Sequence, residues 1–593
     1  MLRGLGTIAL LLAQLGGSAS AADGDVSWST QFGGSGSDRG AGIAAGPDGS
    51  LYVVGSFNGS DDVDPGPGTT VLVSEGNYDV YLAKFHPGGT LAWALSFGGT
   101  NYDSGNGVAV DGHGNVFVTG DFKGTIDLDP GDEVVEARAT GYGIFLSKFD
   151  RDGNLLWAHS IDGGFNDLAL DLALDHQGSV LVTGIYSDRI DVSSNRAGVD
   201  FDPGPGIYRM MPDYGGNVFI WKVDADGDFV WARSLGGNGE AKGKGIVVDA
   251  SGDVLVSGTF SGVNSDFDPG PGEYNFWADG ISDAFVCKLS GEGNLIWAVQ
   301  LGGPNTDQGN GIATDTAGNV YAVGRFEATA DLDPGMSVAP LTSAGATDGF
   351  LVKLDHDGRY MWARALQGSA SEEGTEVTVN CAGEAIVGGG FSGPLTLSGE
   401  PSDLPILPQG SAGAFIMGLS SDGTARWGRG IRGGLGGLSL ADDGSLYAAG
   451  SFSDWLTFTP PTSAPDPIRA VNGVSNAFLV EIVAKDGGGD GEGTVDGETT
   501  HSADQDENGV IDIDELLRVL QLFSFRYYHC DDLGEDGFAG GTGETCCTPH
   551  DSDFAPKNYQ ISINEVLRII QLYNALGYFL CEAGEDGFCP GAV

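Results

Sequence analysis

Short runs of alternating apolar and small or polar residues recur along most of the chain. In one stretch GNGVAVD leads through a GHGN turn to VFVTGDF, then a long connection to IFLSKFD, an RDGN turn and LLWAHSI. Val116 and Val118 alternate with Phe117 and Thr119, the period of two that marks a strand. The Asp-Gly and Gly-Asn pairs supply the positive φ values of tight hairpins. The pattern predicts four short antiparallel strands, a to d, per repeat. Equivalent turns recur as PDGS, AGN, SGD and DDGS, and each d strand carries a tryptophan, as in LAWALSFGG, FVWARSLGG and LIWAVQLGG.

Those tryptophans are Trp28, Trp93, Trp157, Trp231, Trp297, Trp362 and Trp427, at separations of 65, 64, 74, 66, 65 and 65 residues. Such periods in a β-rich chain predict a propeller or solenoid. Six complete a-to-d sets end on Trp93 to Trp427. A seventh has a c strand at AFLVEIV, residues 477–483, but no d strand after it. The missing strand lies at the other end, where DVSWSTQFGG surrounds Trp28 with no a, b or c strand before it. The expectation is a mainly β, seven-bladed propeller over residues 25–483, closed by the N-terminal strand so that no sheet edge is left open.

The repeat units GNVYAVGRF and DGFLVKLDHDGRYMWA, with their copies over residues 25–483, resemble the bacterial SBBP β-propeller repeat family. The resemblance implies a secreted propeller and no particular activity, because propellers host lyases, hydrolases and pure binding modules alike.

Charge and the termini narrow the class. The 593 residues carry 82 acidic and 28 basic side chains, a net charge of −54 that repels phosphate backbones, so nucleic acid is not an expected partner. The first residues, MLRGLGTIALLLAQLGGSASAA, read as a secretory signal over residues 1–21: a basic start, a short apolar run and small residues before the cut. No stretch is long and apolar enough to be expected to span a membrane. A secreted or cell-surface location follows as the expectation. Cys530, Cys546, Cys547, Cys581 and Cys589 crowd the C-terminal segment, which reads as disulfide chemistry with the pairing open and one cysteine over.

Candidate chemistry sits in two places. Blades one to five share an acidic motif in the b–c connection: Asp62-Val63-Asp64-Pro65-Gly66, then Asp127 and Asp129, Asp200 and Asp202, Asp266 and Asp268, and Asp331 and Asp333 in the same frame. Blades six and seven have GPLTLSG and DWLTFTP instead. Two readings are open. The acids cap backbone amides in a tight turn around a pinned apolar residue, or they hold calcium, a hard cation that takes oxygen ligands. Asp38, Asp103, Asp167 and Asp307 of the d–a connections, with Glu240 in the remaining copy, could approach the same loops.

Residues 484–500 form a Gly- and acid-rich linker, and 501–593 a separate module. Asp504, Asp506, Asn508, Val510, Asp512 and Glu515 occupy the ligand positions of a twelve-residue EF-hand loop, with Gly509 at the bend. The exit helix ELLRVLQLF returns 50 residues later as EVLRIIQLY, and GEDGF at 534–538 returns at 584–588, so the module is duplicated. A second, more degenerate calcium loop is assigned to Asp551, Asp553, Asn558, Gln560, Ser562 and Glu565, with Tyr559 where the glycine belongs. A duplicated loop and exit helix without an entering helix resembles the dockerin module. That resemblance implies calcium-dependent folding and a cohesin-like or cell-surface partner, although Ile513-Asp514 replaces the small hydroxyl residues of many dockerins.

No HExxH motif and no nucleophile–base arrangement marks an enzyme. The expected function is a non-enzymatic binding or scaffold propeller for an extracellular protein or glycan, attached through a calcium-dependent module. The alternative is a propeller hydrolase or lyase acting on extracellular polysaccharide.

Overall fold

The computed structural model describes residues 24–482, except residues 35, 188–197, 214, 381, 400–412, 442–443, 460–467 and 471–473, together with four three-residue strands further on. Seven antiparallel sheets, each built on four main strands and three of them extended by short strands, succeed one another around a central channel. Blade one is Arg39–Ala45, Leu51–Phe57, Asp79–Phe85 and Leu91–Phe97. The inner a strands that follow are Asp103–Val110, Leu168–Leu174, Ala241–Val248, Gln308–Thr314, Glu373–Val379 and Gly434–Leu440. The b and c strands are buried on both faces, and their side chains form one core cluster per blade junction. Small inner-strand residues let neighbouring blades approach at the crowded hub.

Ring closure is as the spacing predicts. Val26–Gly34 pairs antiparallel with Asn476–Ile482, Val26 opposite Ile482 and Phe32 opposite Ala477, and supplies the d strand of blade seven. Each d-strand tryptophan acts between blades rather than within one. The indole N–H of Trp93, Trp157, Trp231, Trp297 and Trp362 donates to a carbonyl in the c–d turn of the next blade, that of Arg151, Ala225, Gly291, His356 and Ser421, at 3.1–3.3 Å. The positive-φ glycine of that turn lies on the ring: Gly153 on Trp93, Gly358 on Trp297 and Gly423 on Trp362. Blade seven has no continuous c–d turn, and there Gly24, at φ 76°, takes the seat on Trp427.

Most turns follow one design. In most a–b and c–d turns an aspartate, asparagine or serine accepts amides two and four residues on, as Asp249 Oδ1 does from Ser251 and Asp253 at 2.9 Å each. On the opposite face each d–a crossover is clamped between two b–c connections. In the crossover from blade one to blade two, Gly99 bridges to Ile126 of the following blade, while Tyr102 bridges to Tyr78 of the preceding one.

The segments read as a signal, a linker and two EF-hand loops, Asp504 to Glu515 and Asp551 to Glu565, lie outside the described residues. Within residues 501–593 the structure describes two hairpins, Tyr528–Cys530 with Phe538–Gly540 and Tyr578–Leu580 with Phe588–Pro590, which repeat at the 50-residue spacing.

Candidate functional site

The five acidic motifs adopt one conformation. Asp62 Oδ1 accepts the N–H of Asp64 (3.2 Å) and of Thr70 (2.9 Å), and Asp64 Oδ1 accepts that of Gly66 (2.7 Å). Asp127 and Asp129 bind Asp129, Val135 and Gly131 in the same way. The pattern recurs at Asp200 and Asp202, at Asp266 and Asp268, and at Asp331 and Asp333. The residue between the acids, Val63, Leu128, Phe201, Phe267 or Leu332, is buried under the blade. One carboxylate oxygen of every acid is therefore committed to the loop's own amides. Among the described residues no three His, Cys, Asp or Glu side chains converge as a metal-binding group.

The d–a acids are placed differently from the expectation at one position. Asp103 pairs opposite Phe122 and Ala241 opposite Phe260, so Ala241 and not Glu240 is the structural counterpart of Asp103. Glu240 instead reaches Lys242 at 3.0 Å from a half-exposed position. The misplacement arises because GGNGEA offers an acid one residue before the buried slot. At the following junctions Asp307 and Glu372 fill the slot, each 1% exposed. Asp103 folds back to take the Gly99 amide (2.7 Å), Asp167 takes Gly163 (2.6 Å) and Asp307 takes Gly303 (2.7 Å). Burial raises Asp103 to about 7 and Asp307 to about 6.

The channel holds the chemistry that the sequence reading missed. A cavity of about 750 Å³ runs down the hub, lined by inner-strand residues of all seven blades together with Asp121 and Tyr142. At the bulge in each inner strand five blades place a glycine: Gly42, Gly107, Gly245 and Gly437 directly after it and Gly311 within it. A Cβ at Gly311 would lie 2.8 Å from the Thr375 carbonyl oxygen, and one at Gly42 3.0 Å from that of Asn106, so these inner strands touch backbone to backbone. The other two blades place Asp171 and Glu376 at this level. The signal was present as a repeated Gly-x-Gly, in RGAG, SGNG, KGKG and QGNG, that becomes LALD and EGTE in those two blades.

Both acids border the channel yet are half-buried. Asp171 accepts the amides of Leu172 (2.8 Å) and of Ile246 in the next blade (2.9 Å). Burial nevertheless pushes it up to about 7. Burial, with the Asp171 charge adding to it, pushes Glu376 up to about 8. Above them lies a polar tier. Lys244 donates to Gln308 (3.1 Å) and Asn310 (2.8 Å), and burial lowers its ammonium to about 8. Asn106 donates to Asp121 at 2.8 Å and accepts from Ser104 at 3.0 Å, and the exposed Arg39 stands beside them. Amides, near-neutral carboxyls and cations thus face one open channel.

Comparison with known proteins agrees with this architecture. The SBBP beta-propeller repeat matches residues 92–121 and 296–325. An uncharacterised WD repeat-containing protein of Acanthamoeba polyphaga mimivirus is 22% identical over 467 residues, which cover 66% of this chain and 33% of that protein. The regulatory protein FlaEY of Caulobacter vibrioides is 25% identical over 185 residues, 30% of this chain and 19% of that one. The chain therefore spans a third or less of the length of these relatives. Among solved structures, a protein of unknown function from Dyadobacter fermentans aligns with a TM-score of 0.35 at 10% identity, over 77% of this chain and 99% of that one. The Pan2 WD40 domain of Neurospora crassa aligns at 0.36 and 9% identity, over 76% and 90%. Likenesses this distant carry no argument about activity. The chain is thus a closed seven-bladed β-propeller in which two stretches match the SBBP beta-propeller repeat.

Proposed function

We propose that this protein is a non-enzymatic binding or scaffold propeller, secreted or held at a cell surface, that takes a hydroxyl-rich extracellular ligand such as a glycan or a protein side-chain cluster at its channel. One observation carries the reading: Asp171 and Glu376 are both shifted upward, to about 7 and about 8, inside a cavity whose polar lining also includes Asn106, Asn166, Arg39, Lys244 and Asp121. Near-neutral carboxyls donate and accept hydrogen bonds as sugar hydroxyls do. Acid–base catalysis of glycoside cleavage needs two carboxyls pushed apart, one ionised and one protonated. Here both move the same way. The C-terminal module serves attachment in this reading, folding around calcium at Asp504 to Glu515.

The polysaccharide hydrolase or lyase remains the competing reading, because two acids do share one cavity. A glycan array on the full chain, repeated with Glu376→Gln and Asp171→Asn, tests the proposal. Binding that weakens at least 10-fold in either variant, without turnover in the parent, supports it. Polysaccharide turnover abolished by Glu376→Gln alone would replace it with the enzyme reading. For the module, helix content that rises with calcium in the parent but not in Glu515→Ala is expected. Helix content that ignores calcium refutes the attachment role.

A further inference from the structure

The junction that closes the ring differs from every other. Gly34 faces Asp61 in the pairing of the closing strand with the b–c connection of blade one. By the same register Ile126 faces Gly99 in blade two, and Ser265 and Ala330 hold this position in blades four and five, beside Asp266 and Asp331. An apolar or small residue thus fills the slot in those blades, whereas the closure buries a carboxylate there. Asp61 is 0% exposed.

Asp61 is not alone. The Asp38 carboxyl, 3% exposed, comes within hydrogen-bonding reach of Asp61. Asp38 Oδ2 takes the Gly34 amide at 3.2 Å, but Asp38 Oδ1 and both oxygens of Asp61 are buried with no hydrogen-bond partner. Among the described residues, no lysine or arginine is among the groups that act on Asp38. The consecutive glycines make the space, since a Cβ on Gly33 would collide with Asp38 and one on Gly34 with Asp61. The Asn476 side-chain amide borders the same cradle, 2.7 Å from where a Gly33 Cβ would sit. The assignment of oxygen and nitrogen in that amide follows from its partners, so either end can face the acids.

We propose that Asp38 and Asp61 bind a divalent cation of the calcium type at the ring-closing junction, with the Asn476 amide oxygen as a further ligand. Two buried carboxylates in contact repel each other strongly unless a cation or a shared proton lies between them. The donor set is all oxygen, which selects a hard cation and not a thiolate- or imidazole-seeking metal. The position explains the expense of the site. At the other six junctions the peptide chain itself links the d strand to its own blade's c strand. At this one, Val26–Gly34 joins Asn476–Ile482 by hydrogen bonds and packing alone. Asp38 belongs to the segment that leaves the closing strand and Asp61 to blade one. Asp38 is further tied to blade seven by the bond from its N–H to the Ser475 carbonyl (2.8 Å). A cation between them fastens the non-covalent seam.

Hydrogen exchange read at the peptide covering Val26–Gly34 tests this on the full-length chain, because the readout is local to the seam and blind to calcium bound by the C-terminal loops. Calcium chloride at 100 times its dissociation constant, compared with chelator, is expected to slow seam exchange by up to roughly 100-fold, with magnesium less effective. Asp61→Ser, which installs the residue blade four holds at this position, is expected to abolish the calcium effect and to release one bound calcium per chain in equilibrium dialysis. Asp61→Asn, isosteric and uncharged, guards against misfolding and is expected to lose the effect likewise. Seam exchange that ignores calcium in the parent, or a calcium effect that survives both variants, overturns the proposal and leaves the pair sharing a proton.

Discussion

Replacing Gly358 by alanine should destabilise the propeller by more than the same change at Gly252, although the two turns are alike. Both glycines have φ near +80°, and both donate to the aspartate carbonyl three residues back at 2.9 Å. A Cβ at Gly252 meets nothing within 4 Å. Its cost is the left-handed backbone alone, about 1–2 kcal/mol. A Cβ at Gly358 would stand 2.9 Å from Trp297 Cδ2 and 3.0 Å from Cε3, well inside the roughly 3.5–4.0 Å of a relaxed carbon contact. The indole cannot retreat without loosening its N–H bond to the His356 carbonyl, 3.1 Å. Overpacking of this kind adds about 1–3 kcal/mol, for a total of about 2–5 kcal/mol at Gly358. Urea unfolding followed by tryptophan fluorescence gives both values, with ΔΔG taken from the midpoints at a common slope. In a Trp297→Leu background the excess at Gly358 should vanish, since the two residues would no longer couple. Equal losses at the two glycines, within about 0.5 kcal/mol, would refute the idea that the tryptophan seat rivets one blade to the next.

Three further outcomes follow from the same structure. Asp171 and Glu376 have folded pKa values above their ordinary ones, so the fold disfavours their charged forms: the penalty is absent below about pH 4, grows as pH rises from there and levels off above about 7 and 8. Melting temperature should therefore fall less between about pH 4 and 8 in Asp171→Asn/Glu376→Gln than in the parent, and parallel curves would contradict it. Lys288 pairs with Asp249 at 2.7 Å and Asp253 at 3.2 Å with 8% of its side chain exposed. Lys288→Met should cost about 3–5 kcal/mol by stranding Asp249, and Asp249→Asn in that background should recover part of it in denaturant titrations. Asp127→Ala removes the acceptor of two loop amides and should cost about 1–3 kcal/mol, whereas Asp127→Asn keeps that oxygen and should be near neutral. A calcium-dependent loss in Asp127→Asn would instead show the motif acting as a cation ligand.

Much of the fold is written in the one-dimensional pattern. Period-two alternation, Asp-Gly turns and evenly spaced tryptophans depend only on local geometry and on repetition, so they predict strands, hairpins and seven blades without any contact being known. The stranded d strand around Trp28 even foretells how the ring closes. The site was less legible. Asp171 and Glu376 stand 205 positions apart, in strands that read as ordinary inner strands, and only their shared register at the hub makes them one environment. Glu240 was grouped with Asp38, Asp103, Asp167 and Asp307 as the acid of the remaining d–a connection, but strand pairing gives that position to Ala241.

The sequence by itself determined the number of blades, the turn chemistry and the end from which the last strand comes, because each of these is a property of neighbours along the chain. Tertiary structure alone decided that Gly24 replaces a turn that blade seven lacks and that two acids face one channel. It also decided that Asp38 and Asp61 meet in a buried cradle above Gly33 and Gly34. Burial and charge coupling depend on distances across the ring, and those exist only once the seventh blade has borrowed its strand from the first residues of the fold.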